Sequence, residues 1–154
     1  MRANRMVDNL FDKVIFKVKR KMIYAHMKVA ETYGVLSSAT RLKVGCIIVK
    51  DDRIISIGYN GMPSGWSNVC EVDGRTKPEV LHSEANAITK LARSNESGLE
   101  AHLYTTHAPC MECAKLIHQT GIEAVIYKHK YREESGIEFL KKGEIVVLQI
   151  GDEI

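Results

Sequence analysis

Two short stretches of this chain hold residues able to do chemistry together. They are His82-Ser83-Glu84 and, further on, Pro109-Cys110-Met111-Glu112-Cys113. One imidazole and two thiols are a donor set for a catalytic zinc, which keeps a fourth position open for water. Both cysteines fall in the first turn expected of a helix, and residues three apart on a helix share a side, so both sulfurs can reach one ion. A helix N-terminus also lowers a thiol's pKa and so favours the thiolate that a metal needs. Pro109 suits the start of such a helix. Glu84, two residues past His82, is then a free carboxylate beside the open position, able to move protons. Zinc brings its water to a pKa of about 7, so such a centre has a nucleophile for hydrolysis at neutral pH.

A closed, purely structural zinc is the opposing possibility, with Cys46 or Cys70 as fourth ligand. It leaves Glu84 without a task. Cys46 lies in an apolar run and reads as a small buried hydrophobe, while Cys70 stays open between loop filler and a lesser metal role. The remaining histidines (His26, His102, His107, His118 and His129) read singly as core or surface residues. His107, three residues before Cys110, is the exception, placed to line a substrate pocket.

Such a site requires a scaffold that sets two helix starts side by side. Val7, Phe11, Val14, Val18, Met22 and Ala25 recur at helical steps, predicting a helix over about residues 8–33 with Gly34 as its stop. A break near residues 19–21, or a short strand over 13–19, also fits the pattern there. Apolar runs at 44–49 and 54–59, with Lys50-Asp51-Asp52-Arg53 between them, predict a hairpin. A long loop follows to about residue 80, through Asn60-Gly61 and Pro63-Ser64-Gly65. Helices are expected at 82–92, 110–119 and 135–142, and strands at 103–106, 124–127 and 144–149. The last three strands, each separated by a helix, should be mutually parallel. The predicted class is α/β: a three-layer α/β/α sandwich around a five-stranded mixed sheet, forming a single domain over residues 1–154 with residues 1–22 as an N-terminal helical extension.

A chain of 154 residues can bury about two-thirds of its unfolded surface, enough for a core without staples. Four cysteines in that length do not make a disulfide scaffold. A net charge of +3 falls short of a dedicated nucleic-acid binder, so no nucleic acid partner is expected. Neither a signal-peptide core nor an apolar run of membrane-spanning length is present, so the expectation is a cytoplasmic protein with no membrane partner.

H-x-E followed by P-C-x-x-C is the signature of zinc deaminases acting on cytosine or adenine. On these residues the chain resembles the cytidine deaminase superfamily, and within it the deoxycytidylate branch. The similarity covers about residues 23–150. It runs through Arg41-Leu42-Lys43-Val44-Gly45, Gly58-Tyr59-Asn60-Gly61-Met62-Pro63-Ser64-Gly65, His82 to Ile88, and Thr106 to Ile117. The G-Y-N-G-x-P-x-G block points to the deoxycytidylate branch; the metal motif alone would name only the superfamily.

The resemblance implies hydrolysis of dCMP to dUMP and ammonia, one Zn2+ per chain held by His82, Cys110 and Cys113, and Glu84 as proton carrier. It implies that Asn60 contacts the sugar hydroxyl, and that backbone near Ala85 and the segment Thr106, His107, Ala108 hold the base. Residues 58–65 would shape the pocket. Arg41 and Tyr131, with Lys43 and Arg132 as further candidates, would serve the 5′-phosphate, and a guanidinium fork suits that group. Homo-oligomers, often hexamers, with dCTP and dTTP as effectors, are implied in the same way. Ser83 departs from the alanine commonest at its position, and the segment between Cys70 and His82 lacks a Cys/His-rich insertion for a second zinc. Open alternatives are a tRNA adenosine deaminase, a free cytidine deaminase, and a zinc-stabilised binding module without turnover.

Overall fold

The computed structural model describes residues 14, 15 and 17–152. Most of the expected N-terminal extension therefore lies outside the described residues. Helix α1 spans Arg20–Gly34, and Lys19 just before it is extended at φ −58°, ψ 132°. The expected helix is thus broken at Lys19, and no strand forms among the described residues before it. Gly34 is the last helical residue instead of the residue beyond it, because Val35 keeps right-handed helical angles.

Strands β1 (Gly45–Lys50) and β2 (Arg53–Tyr59) form the expected antiparallel hairpin. Asp51 and Asp52 in its turn both take positive φ, the mirror-image turn that suits the twist of paired strands. The following long segment is not all loop. Two short strands, β3 (Glu71–Val72) and β4 (Arg75–Thr76), pair across Asp73 and Gly74, again both at positive φ. Next come α2 (Ser83–Ala92), β5 (His102–His107), α3 (Met111–Thr120), β6 (Ala124–His129), α4 (Ser135–Lys142) and β7 (Val146–Gln149).

The main sheet has the order β2-β1-β5-β6-β7. β1 runs antiparallel to β2 and β5, whereas β5, β6 and β7 are parallel, as the interleaved helices required. Strand alternation sends Ile47, Val49, Tyr104 and Ile126 toward α1, where they pack with Ile23, Met27 and Ala30. Cys46, Ile48, Leu103 and Val125 belong to the opposite core, with Leu91 of α2, Ile117 of α3 and Leu140 of α4. The result is the α/β/α sandwich, with α1 on one face and α2, α3 and α4 on the other. Gly58 allows α2 to lie close on β2: a Cβ there would stand 2.1 Å from the Ser83 carbonyl oxygen.

Candidate active site and metal centre

The site forms at the carboxyl end of β5, where its neighbours switch from antiparallel to parallel and helix starts converge. His82 is the residue that opens α2, at φ −68°, ψ 155°. Cys110 opens α3 with the same extended geometry, so it precedes the first turn that the sequence assigns to it, and Cys113 lies within that turn. His82 Nδ1 lies 3.5 Å from each sulfur. Ligands at ~2.0 Å (nitrogen) and ~2.3 Å (sulfur) in a tetrahedron would stand ~3.6 Å apart, so the three atoms fit one zinc. Among the described residues, no other His, Cys, Asp or Glu joins this group. Cys46 and Cys70 are buried away from it, which removes the closed-site alternative.

The charges suit a cation. The Cys110 thiol is held down to about 3 by the hydrogen bond from Cys113 and by His82. Cys113 is pushed up by donating to Cys110 and by burial. The two sulfurs and the imidazole lie close enough together for one cation to satisfy all three. The Cys110 side chain raises the His82 pKa, a bias that a bound metal would reverse.

Glu84 sits beside the cluster, 4 % exposed and in no salt bridge among the described residues. Burial pushes its carboxyl above the usual range. Hydroxyl groups meet both of its oxygens: Thr105 Oγ1 at 3.1 Å from Oε1 and Ser83 Oγ at 3.2 Å from Oε2.

His82, Glu84 and Cys110 open into a cavity of about 490 Å³. Of the expected substrate residues, Arg41, Asn60, His107, Ala108, Tyr131 and Arg132 line it. Ala85 and Thr106 do not line it. The Ala85 N–H serves the Cys113 sulfur instead. The Thr106 hydroxyl accepts from the Gly45 N–H at 3.1 Å and lies 2.9 Å from His107 Nδ1. Burial, and then charge repulsion from His129, whose tilted ring is centred 4.9 Å away, lower the His107 pKa.

Asn60 braces the chain more than it faces the cavity. Its Oδ1 accepts from the Val44 N–H and its Nδ2 donates to the Leu42 carbonyl. One lone pair and one N–H remain for a ligand. Asn60 is also the sole member of residues 58–65 on the cavity wall. The rest of that block acts indirectly, as Gly61 does by pairing with Leu81 just before His82. Lys43 bonds the Val35 carbonyl and is not on the wall. Sequence reasoning missed Lys130, Glu71 and Thr76, which the fold brings to the wall from β3, β4 and the segment after β6. Glu71 receives the N–H groups of Thr40 and Arg41, and Arg41 reaches Thr76 at 3.4 Å. The Arg132 guanidinium lies 5.8 Å from the Tyr131 ring centre.

Helix α4 closes the back of the centre. Gly136 packs on the turn that carries the cysteines, where a Cβ would stand 2.1 Å from the Pro109 carbonyl oxygen.

Comparison with known proteins agrees with this geometry. Residues 19–129 match the family described as the cytidine and deoxycytidylate deaminase zinc-binding region. The crystal structure of dCMP deaminase from the cyanophage S-TIM5, in complex with dCMP and dUMP, superposes with a TM-score of 0.85 at 41 % identity, covering 86 % of this chain and 99 % of that one. Deoxycytidylate deaminase of Saccharomyces cerevisiae is 36 % identical over 135 residues, 80 % of this chain and 43 % of the relative. The Homo sapiens enzyme is 40 % identical over 97 residues, 57 % of this chain and 53 % of the relative. The chain spans about half the length of these two curated relatives.

Proposed function

The chain belongs to the cytidine and deoxycytidylate deaminase zinc-binding family, and from that premise we propose that it hydrolyses dCMP to dUMP and ammonia. The observation that carries the reading is the juxtaposition of a metal-fitted His82, Cys110 and Cys113 cluster with a buried, hydroxyl-held Glu84 at one end of a nucleotide-sized cavity. In this reading His82, Cys110 and Cys113 hold zinc, and the metal supplies electrophilic activation of water at neutral pH. Glu84 takes a proton from that water, delivers one to ring N3 and passes one to the departing amine. The water oxygen ends on C4, ammonia leaves with one of the water's hydrogens, and N3 keeps the other.

His107 and Ala108 border the base and Asn60 offers its remaining groups to the sugar. Where the Thr106 hydroxyl donates to Nδ1, His107 carries a hydrogen on Nε2 and can donate it to the substrate. Arg41, Lys130 and Arg132, with Tyr131, face the 5′-phosphate. Glu71 lines the same wall, but its carboxylate is engaged by backbone N–H groups and orients the Arg41 turn. Assembly of several copies and control by dCTP and dTTP belong to the reading through the resemblance alone. A cytoplasmic setting and action of residues 1–154 as one domain belong to the reading through the length and patterning of the sequence. No helix among the described residues is long and apolar enough to cross a membrane.

The test is ammonia release from a panel of dCMP, deoxycytidine, cytidine, dCTP and a tRNA anticodon stem, with one zinc-loaded preparation. The reading expects dCMP to give the highest kcat/KM and deoxycytidine to lose most of it. Equal efficiency on deoxycytidine, or a preference for the tRNA stem, would overturn the substrate assignment.

A further inference from the structure

Thr105 holds no metal and does not line the cavity, Ser83 holds no metal and lies on the cavity wall beside Glu84, and the hydroxyls of both touch Glu84. Thr105 is wholly buried in β5, one residue before the Thr106 that braces β1. Strand alternation turns Thr105 with Leu103 toward the helices that carry the site, and Tyr104 and Thr106 away from it. Its hydroxyl lies 3.1 Å from Glu84 Oε1, and Ser83, also wholly buried, reaches Oε2 at 3.2 Å. These two side chains come from different elements and grip opposite oxygens of one carboxylate. The last torsion of a glutamate is soft and has no sharp staggered minima. Burial alone therefore leaves the carboxylate plane free to turn. Two donors on its two oxygens remove that freedom.

Thr105 has one further property. Its single hydroxyl hydrogen stands before two acceptors, Glu84 Oε1 and the His107 carbonyl at 2.9 Å. Turned toward Glu84 it donates to the carboxylate. Turned toward His107 it presents a lone pair to Oε1, so it can accept from a proton carried there. Rotation about one bond keeps the contact through the whole transfer.

We propose that Thr105, supported by Ser83, is the positioning residue that fixes the Glu84 carboxylate for proton transfer. The inference rests on the reading of Glu84 as the proton carrier. Its test is the zinc-loaded full chain acting on dCMP, with zinc content and melting temperature measured for each variant. Thr105→Val keeps the side-chain shape and removes the hydroxyl. It should lower kcat by roughly ten- to a hundredfold, as misplacing a catalytic group does, with KM within about twofold and zinc stoichiometry intact. Thr105→Ser should restore most of kcat, which a packing role would not allow. Ser83→Ala should give a smaller loss of the same kind. A Thr105→Val protein with wild-type kcat, or a Thr105→Ser protein as slow as Thr105→Val, overturns the proposal. Should Thr105→Val fail to fold, Ser83→Ala decides, and unchanged kcat in it counts against the clamp. A zinc-loaded wild type inactive on every cytosine compound defeats the functional reading itself, an outcome distinct from variants that behave like an active wild type.

Discussion

Replacing Gly136 by alanine puts a single methyl group between α4 and the turn that carries the cysteines. The added Cβ would stand 2.1 Å from the Pro109 carbonyl oxygen, 2.8 Å from the Cys110 carbonyl carbon and 2.9 Å from its oxygen. Carbon and oxygen in ordinary contact stand at ~3.4 Å or more, so the turn and α4 must part by about an ångström. Neither side can yield cheaply, because the obstructing atoms are backbone and Ile137 and Leu140 anchor α4 in the core. Overpacking of this kind destabilises by about 1–3 kcal/mol. The larger effect falls on the metal, since ligand distances tolerate only about 0.2 Å. Zinc affinity should fall by roughly ten- to a hundredfold, the range seen when groups that orient ligands are changed. Competition against a colorimetric chelator measures the affinity, and thermal unfolding with and without zinc separates it from the packing cost. Wild-type zinc affinity in Gly136→Ala would refute the reasoning, whatever its melting temperature.

Other consequences concern the cavity wall, the metal and a buried histidine. Lys130→Ala should raise KM for dCMP by roughly three- to tenfold, leave deoxycytidine unaffected, and matter less at high salt, where exposed charges are screened; an equal rise with deoxycytidine would place Lys130 off the phosphate. Chelation should lower the melting temperature by several degrees, because zinc binds the folded state, and Zn2+ but not Mg2+ should restore it; an unchanged melting curve would contradict the metal centre. His26 is 6 % exposed, its Nε2 has no partner among the described residues, and burial lowers its pKa, with Asp52 opposing and His102 adding to the shift. The unfolded chain therefore binds the extra proton first, so stability falls as pH drops below the ordinary imidazole value, by at most about 1.4 kcal/mol per pH unit for one group. His26→Phe should flatten that dependence in urea unfolding series from pH 8 to pH 5, and an identical slope would remove His26 as its source.

The sequence was most legible where local chemistry and local geometry coincide. His82 and Cys110 each open a helix, and the ligand pattern could be read from that spacing alone. The Asp51-Asp52 turn and the parallel order of β5, β6 and β7 followed from turn residues and interleaved helices. The β3–β4 hairpin was missed because strands of two residues show no periodicity, although Asp73-Gly74 is itself a turn signal. Lys130, Glu71 and Thr76 reach the cavity only through tertiary folding, so no motif contains them. Ala85 and Thr106 were assigned by resemblance, and here their groups serve Cys113 and Gly45. Thr105 was within reach, since a period of two along β5 sets it, and not Thr106, on the face toward Glu84.

The central claim is that Glu84 moves protons beside a zinc held by His82, Cys110 and Cys113. The most direct measurement is single-turnover ammonia release from dCMP by zinc-loaded wild type and Glu84→Gln, with metal content and melting temperature determined on the same samples. The account predicts a variant that stays folded, retains one zinc per chain and loses at least about a thousandfold in rate. A folded, zinc-loaded Glu84→Gln protein that releases ammonia at the wild-type rate would contradict it.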